Sequence, residues 1–287
     1  SSYHGWHAWY RASKPVAPGI VPEMRRWIET FPEGDLETLR AVLRDRRVDL
    51  AAIMMEPALL EEPAPGYLAA VRDLAHAEGA LFILDEMLLG GRLALGGGSE
   101  YWGVVPDLAT YGKALGGGYP LGILVGARKY MEQAWFVSGT FSGHPVSLAA
   151  AMAVLDVYAR DAIVERIHAN GAAIAASLRR AAAEHHLPMR VRGLPVLPIV
   201  EWNCEDAIGV NTLWLEQMLE QGVLLHPSGR ILVSAMLSAD DLRAFDRACV
   251  RAAAFVSDAM RSLNVRERLQ GAVYQSLPIR AVRAGPA

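Results

Sequence analysis

The chain has 287 residues, of which 52% are hydrophobic and 21% charged, and its formal net charge at pH 7 is −3. This composition is typical of a globular protein with one large domain or two ordinary ones, and the balanced charge offers no basic surface for nucleic acid. No apolar run reaches the roughly 18 residues of a membrane span. Two cysteines, Cys204 and Cys249, are too few for a disulfide framework, so we expect a cytoplasmic protein without nucleic-acid or membrane partners.

The first part of the chain alternates between predicted helices and strands. Residues 35–46 begin with an acidic cap and repeat leucine at helical spacing, and residues 67–78 form an amphipathic helix that Gly79 ends. The apolar residues 49–55 and 80–84 are predicted strands on either side of this second helix. A strand, a helix and a strand at this spacing predict a right-handed βαβ unit and therefore a mostly parallel sheet.

Six glycines occur in residues 90–103, which we name the glycine loop and predict to be an extended surface loop. Residues 107–126 predict two short strands on either side of Lys113. The run Gly116, Gly117, Gly118 behind this lysine lets the backbone pass close to a ligand or to another chain.

The rest of the chain predicts helices with short strands between them. Helices are expected at residues 145–160, 163–185, 207–221 and 239–263, with Ser238 as the cap of the last one. Strands are expected at 189–202, 223–226 and 231–235, and residues 264–287 show no clear pattern. A boundary near residue 158 would give an α/β large domain at 1–158, predicted to bind the cofactor, and an α+β small domain at 159–287.

Two residues with complementary chemistry stand at predicted strand ends. Asp85 follows the apolar strand 80–84, and Lys113 follows the next strand. The carboxyl ends of parallel strands meet at one edge of a sheet, where α/β proteins bind ligands. A buried acid and a buried amine in one crevice are what pyridoxal phosphate (PLP) requires, because the lysine forms a Schiff base and the acid keeps the pyridine nitrogen protonated.

Each of the two residues also has a simpler interpretation. An Asp at a strand end is most often a helix cap or a turn residue, and a Lys beside glycines is usually solvated. Two nucleotide-binding motifs do not fit. Asp107 stands at the first glycine position of a phosphate-binding loop, and Leu121 stands where a dinucleotide fingerprint that starts at Gly116 needs glycine. The PLP hypothesis therefore rests on Asp85 and Lys113 together, an acid and a lysine that follow consecutive predicted strands.

Several motifs in a fixed order surround these two residues. They are Ser2–His7, Met55-Glu56-Pro57, Leu84-Asp85-Glu86-Met87, Gly103–Leu108, Gly112–Gly122 and Gly139–Pro145. Together they resemble the class III (omega-type) PLP-dependent aminotransferases, in particular the branch that contains glutamate-1-semialdehyde aminomutase. The resemblance covers roughly residues 1–260. It implies the α/β fold type I of PLP-dependent transferases, with a mostly parallel sheet in the large domain and a C-terminal α+β small domain.

The resemblance also implies roles for individual residues. Lys113 would form the Schiff base and move the proton between the substrate and the cofactor, while Asp85 would pair with the pyridine nitrogen. Tyr3 matches the aromatic residue that stacks on one face of the ring, and Met87 stands where the family usually has a valine on the other face. Methionine is longer and more flexible than valine, so this packing can adapt.

Four further residues are candidates for the site. Thr140 matches a threonine that reaches the cofactor phosphate of the neighbouring subunit, which implies a homodimer. His4 would support the stacking aromatic residue or the cofactor hydroxyl, although a loop histidine with ordinary partners fits as well. Glu56 and Arg230 are substrate-side candidates, with a structural glutamate and a solvated arginine as the alternatives. No metal site is expected.

The family carries a Ser-Gly-Ser/Thr-Glu-Ala segment before the Tyr3-His4-Gly5 motif, and this sequence does not contain it. The expected function is the transfer of an amino group between a small-molecule amine or amino acid and a carbonyl acceptor. An intramolecular aminomutase, or another PLP reaction on the same scaffold, is the first alternative. The second is that a separate chain supplies the phosphate-binding segment, in a split enzyme, or that the chain is a non-catalytic partner-binding domain.

Overall fold

The structure is a computed structural model, and it describes residues 3–14, 17, 19–45, 50–133 and 139–273. The contacts divide the chain into two compact units, and the division falls between Arg160 and Asp161. That the first unit binds a cofactor, and that the second is the small domain of such an enzyme, stay predictions.

The first unit is built on a four-stranded sheet in the order β1-β2-β3-β4. The strands are β1 (Ala52–Met55), β2 (Leu81–Asp85), β3 (Leu108–Gly112) and β4 (Gly122–Gly126). The first three are parallel and β4 is antiparallel to β3, which confirms the predicted mostly parallel sheet. Asp85 pairs with Thr110 in the register of β2 and β3, so both strands end at the same edge of the sheet.

The described residues of the first unit form six α-helices. They are α1 (Ala8–Ala12), α2 (Leu36–Asp45), α3 (Tyr67–Ala77), α4 (Gly97–Tyr101), α5 (Arg128–Met131) and α6 (Pro145–Arg160), with 3-10 helices at Pro22–Trp27 and Lys113–Gly116. The predicted acidic cap of α2 is present, because an Asp35 carboxylate oxygen accepts the Thr38 N–H at 2.9 Å. Residues 46–49, which include the predicted start of β1, lie outside the described residues.

The core of the first unit lies between the sheet and the apolar sides of α2 and α3. Leu39 of α2 and Val71 of α3 pack in one cluster with Phe82 and Leu84 of β2. Phe82 and Leu84 are completely buried. Truncating such a phenylalanine to alanine typically costs about 3–5 kcal/mol, so packing against this cluster fixes β2 before the strand reaches Asp85.

The prediction of an extended surface loop at residues 90–103 is wrong. The glycine loop contains α4, and its glycines at positions 90, 91, 97 and 98 are buried. The physical reason is close packing against backbone and side chains, which only a residue without a side chain allows. A Cβ atom added at Gly98, for example, would lie 2.5 Å from the Cβ of Pro57.

The second unit packs three helices against a two-stranded hairpin. The helices are α7 (Ile163–Glu184), α8 (Ala207–Glu220) and α9 (Ala239–Arg261), and the strands are β5 (Met189–Leu194) and β6 (Leu197–Trp202). Helix α9 begins at Ser238 as predicted. The Ser238 hydroxyl accepts the Asp241 N–H at 3.2 Å, and the Asp241 carboxylate accepts the Ser238 N–H at 2.8 Å.

Three predictions for the second unit need correction. Residues 189–202 are an antiparallel hairpin and not one strand, because a turn at Pro195 and Val196 reverses the chain. Residues 223–226 and 231–235 are not strands. A turn in which the Gly229 N–H donates to the His226 carbonyl interrupts them, and the segment keeps only an isolated bridge between Arg230 and Ile199. Residues 274–287 lie outside the described part.

Candidate active site

The carboxylate of Asp85 is the most completely organised group at the edge where the parallel strands end. Asp85 is the last residue of β2 and is only 3% exposed. Its Oδ1 accepts the Met87 N–H at 3.1 Å and the Thr110 hydroxyl at 3.3 Å. Its Oδ2 lies 2.7 Å from Nδ1 of His4. A buried carboxylate with donors on both oxygens is held in one orientation.

His4 therefore lies beside the acid. Its predicted role, to support the stacking aromatic residue or the cofactor hydroxyl, stays a prediction. The His4 ring is held among other rings. It stacks on Trp9 at a centroid distance of 6.2 Å and meets the edge of Tyr10 at 5.6 Å. Tyr3 also contacts Tyr10 edge-on, at 5.5 Å. The aromatic residues near the start of the chain thus form a group that places His4 on Asp85.

Lys113 follows β3 directly and begins a 3-10 helix. Its φ angle of 43° lies in the left-handed region, which residues other than glycine rarely adopt. Such backbone strain costs on the order of 1–3 kcal/mol and persists where the surrounding structure imposes it, often at functional sites. The residue is exposed, whereas the sequence had led us to expect a buried amine.

Met87 connects the acid to the segment that carries the lysine. Its N–H donates to Asp85, and its side chain lies against the backbone of Gly112. A Cβ atom at Gly112 would lie 2.8 Å from the Met87 Cε and 2.6 Å from the backbone carbonyl oxygen of Leu121. Because the backbone oxygen cannot move aside easily, glycine is required immediately before Lys113. The structure thus brings Asp85, Met87, His4 and the start of the Lys113 turn to one edge of the sheet.

The remaining predicted residues are Glu56, Thr140 and Arg230. Glu56 is 4% exposed and follows β1 directly, at the carboxyl end of the neighbouring strand. Thr140 lies in an exposed turn in which the Ser142 N–H donates to the Gly139 carbonyl. Arg230 belongs to the second unit.

Glu86 is a residue whose importance the sequence analysis missed. It is completely buried. Its Oε2 accepts the Gly98 N–H at 2.8 Å, and its Oε1 accepts the Ser99 N–H at 2.7 Å. Burial, opposed by these hydrogen bonds, raises its pKa to about 7. The available signal was a second carboxylate immediately after Asp85, which the alternation of a strand turns to the opposite side.

Two features were sought among the described residues, a metal site and a membrane-spanning helix. Among these residues, no group of three or more histidine, cysteine or acidic side chains is arranged to hold a metal ion. None of the described helices has the length and apolar character needed to cross a membrane. What the site offers is a fixed carboxylate, a lysine in a strained turn at the same sheet edge, and a group of aromatic rings.

Comparison with known proteins identifies the type of chain. The family model described as "Aminotransferase class-III" matches residues 15–247. The 3-aminobutyryl-CoA aminotransferase of Cloacimonas acidaminovorans is 33% identical over 237 residues, which are 78% of this chain and 56% of the relative. A glutamate-1-semialdehyde 2,1-aminomutase of Methanosarcina acetivorans is 34% identical over 233 residues, or 75% of this chain and 55% of the relative. The chain spans about half the length of these curated relatives.

Solved structures agree with the fold. The PLP internal aldimine form of the FumI protein from Sphingopyxis sp. MTA144 superposes with a TM-score of 0.83 at 26% identity, over 94% of this chain and 65% of that one. An omega-transaminase from Sphaerobacter thermophilus gives a TM-score of 0.81 at 22% identity, over 89% of this chain and 67% of that one, and supports the fold alone. The predicted fold class, that of the fold-type-I transferases, is thereby confirmed.

Proposed function

This chain belongs to the class-III aminotransferases, and we propose that it contributes the acid and the lysine of a PLP-dependent site that moves an amino group. The substrates would be a small amine or amino acid as donor and a carbonyl compound as acceptor. The observation that carries this proposal is the buried Asp85 carboxylate, fixed at the sheet edge where the Lys113 turn also begins. The amino donor and the acceptor are not specified by these residues.

The residues present fit the cofactor. An ionised carboxylate offers about four lone-pair positions. Met87, Thr110 and His4 use three of them on Asp85, so one position remains for the N–H of a protonated pyridine ring. When bound, PLP supplies an electron-poor ring that accepts the electron pair left on the substrate carbon after its proton is removed.

Lys113 would hold the cofactor covalently and would then act as the base and acid at the substrate carbon. Its position after β3 ties the amine to a strand that is paired with β2, and therefore to Asp85. The left-handed turn at this residue gives the side chain a direction that a regular strand would not. The role of Lys113 in this proposal is to move a proton, and the role of Asp85 is to keep the ring protonated.

The residues around Asp85 would bind and orient the ring. Tyr3 is 42% exposed, so one side of its ring is available for stacking, while Tyr10 supports it edge-on. Met87 would pack on the other side of the cofactor. His4 would position Asp85 through its 2.7 Å contact and would not touch the cofactor itself. Glu56 is proposed as a wall of the substrate site, and Arg230 as a group for a substrate carboxylate.

We also propose that the working enzyme is a homodimer. Thr140 is exposed in the first unit, as expected of a residue that acts on a neighbouring subunit. Its hydroxyl would donate to the cofactor phosphate bound by the partner. Because the curated relatives are about twice as long as the matched region, we propose that further polypeptide, in this protein or in a separate chain, contributes to holding the phosphate. Both cysteines are free, which supports a reducing, cytoplasmic location within this proposal.

An intramolecular aminomutase is the second candidate. It is favoured by a relative named glutamate-1-semialdehyde 2,1-aminomutase at 34% identity. The residues described above serve both reactions, because both remove and return a proton at carbon. Product analysis separates them, since a mutase needs one substrate and a transaminase needs a donor and an acceptor.

The test is an absorption spectrum of the purified chain with added PLP, recorded before and after borohydride and repeated on Lys113→Ala. The proposal expects a visible absorption band in the wild type. Borohydride should then leave one PLP molecule covalently attached to Lys113, and no such adduct should form in the variant. An adduct at another lysine, or the same adduct in Lys113→Ala, contradicts the assignment. If no band appears while the protein is folded, the chain lacks part of the cofactor site, and the experiment is repeated with the remaining polypeptide added.

A further inference from the structure

The buried carboxyl group of Glu86 makes contacts that the proposed chemistry does not use. Each of its two oxygens accepts one backbone N–H of the glycine loop, from Gly98 at 2.8 Å and from Ser99 at 2.7 Å. Gly97 lies so close to the same carboxyl group that a Cβ atom at this position would collide with Oε2. The side chain of Glu86 is therefore the anchor on which the middle of the glycine loop is held.

The glycine loop in turn touches the ends of all three parallel strands. Next to β1, Gly98 packs on Pro57. On β2, the Gly90 N–H donates to the Glu86 carbonyl at 2.7 Å. On β3, the Tyr111 hydroxyl donates to the Gly96 carbonyl at 3.0 Å. The loop is thus a strap across the sheet edge at which Asp85 and Lys113 lie.

The surroundings of Glu86 disfavour the charged form of its carboxyl group. The titratable groups that face it are Asp85 on its own strand and Tyr111 on β3, while Glu100 on α4 acts on Tyr111. None of these groups is a cation. Burial, with a smaller contribution from Asp85, raises the pKa of Glu86 to about 7. A strongly perturbed carboxyl group beside a candidate site is a reason to look for a functional role.

We propose that Glu86 is a positioning residue, whose carboxyl group holds the glycine loop across the ends of β1, β2 and β3 and so fixes Asp85 relative to Lys113. The proposal rests on the proposed function for the identity of the site, but the loop contacts themselves are independent of any cofactor. Two steps connect the anchor to the chemistry. Glu86 lies between Asp85 and Met87 in the chain, so holding its backbone also holds theirs. Its N–H donates to the Thr110 carbonyl of β3 at 2.9 Å.

The closed loop should respond to pH in a defined direction. With the loop closed the pKa of Glu86 is about 7, and an opened loop returns the group to water, where a glutamate titrates at about 4.3. The closed form therefore binds the proton more tightly than the open form. Opening is hardest in acid and becomes easier as the pH rises through this window, by up to about 500-fold in the opening equilibrium, and then levels off.

The experiment is hydrogen exchange of the loop amides in the cofactor-free chain from pH 5 to pH 8, corrected for the intrinsic dependence of exchange on pH. Four proteins are compared: wild type, Glu86→Gln, Glu86→Ala and Glu100→Gln. Glu100 is the matched control, because it is a carboxylate of the same loop that accepts the Gly96 N–H at 2.6 Å but is exposed. An exposed contact of this kind contributes little.

The proposal expects a different result for each protein. Wild type and Glu100→Gln show loop opening that increases with pH. Glu86→Gln is uncharged and keeps one acceptor oxygen, but its NH2 group faces the second backbone N–H. Its loop therefore loses the pH dependence and exchanges faster than the loop of wild type in acid, but more slowly than the loop of Glu86→Ala. Glu86→Ala leaves two buried N–H groups without acceptors and exchanges at least about tenfold faster at every pH. A wild-type pH dependence in Glu86→Gln, or a protected loop in Glu86→Ala, overturns the proposal.

PLP titration by absorbance provides the second readout. We expect the PLP dissociation constant to rise about tenfold or more in Glu86→Ala and to rise less in Glu86→Gln, which keeps one of the two acceptor oxygens. An unchanged constant in Glu86→Ala contradicts the positioning role. If wild type takes up no PLP even when the proposed further polypeptide is added, the proposed function fails, while the exchange data still decide the role of Glu86. If Glu86→Ala does not fold, the pH dependence of Glu86→Gln decides it.

Discussion

The ends of β2 and β3 are neighbours in one sheet, yet they are built in opposite ways. At the end of β2, Asp85 is buried and has donors on both carboxylate oxygens. At the end of β3, Lys113 is exposed and its backbone is held at a φ angle of 43°. The acid side of the candidate site, which consists of Asp85 and its hydrogen-bond partners, is therefore organised by contacts within the first unit. At the end of β3 the distinctive feature is instead the strained backbone of an exposed residue.

The largest effect is expected when the amine of Lys113 is removed. Replacing Lys113 by alanine removes both the covalent link and the proton-transferring group, so amino transfer should fall by roughly 1000-fold or more. Steady-state kinetics with a defined donor and acceptor measure it, at saturating PLP to separate catalysis from cofactor affinity. Residual activity near the wild-type level would mean that another lysine serves as the base.

Asp85→Asn tests the acid side of the candidate site while its shape is kept. The amide cannot hold the ring nitrogen protonated, so activity should fall by about 100-fold. The side chain remains an acceptor for Met87 and Thr110, and the fold should survive. The measurement is the rate of the half-reaction with an amino donor, together with the melting temperature as a control. A variant with normal rates would show that Asp85 has only a structural role.

His4→Phe removes the contact to Asp85 but leaves the aromatic packing around Trp9 and Tyr10. A hydrogen bond to a charged group is worth about 1.5–3 kcal/mol, and we expect roughly tenfold weaker PLP binding or slower catalysis. The affinity is read from a PLP titration. His4→Gln, which keeps a donor, should recover part of the loss. Equal defects in both variants would contradict a role through the donor to Asp85.

The smallest effect concerns the strain at Lys113. Glycine adopts a positive φ angle without cost, so Lys113→Gly should unfold with about 1 kcal/mol more free energy than Lys113→Ala. Both variants lack the amine, and the difference therefore isolates the backbone. Urea denaturation of the two proteins measures it. Equal stabilities would mean that the turn relaxes when the lysine side chain is absent.

Comparison of the predicted with the observed elements shows where local pattern is sufficient. Helix α6 begins and ends at the residues expected, and α9 starts at its predicted Ser238 cap. In both cases the signal is local, since helical periodicity and capping involve residues a few positions apart. The two predicted strands after residue 222 fail for the complementary reason. Whether an extended segment becomes a strand depends on the backbone beside it, which local sequence does not contain.

The family and the parallel strands could be predicted from the sequence, because motifs in series and hydrophobic alternation are encoded along the chain. The same motifs predict Asp85 and Lys113 as the chemical groups of the site. Tertiary structure decided what those groups contact. It placed His4 on Asp85, buried four glycines of the glycine loop and made Glu86 the anchor of that loop. These are contacts between residues distant in sequence, and their partners are fixed by the packing of strands and loops at one sheet edge, which no periodicity in the chain records.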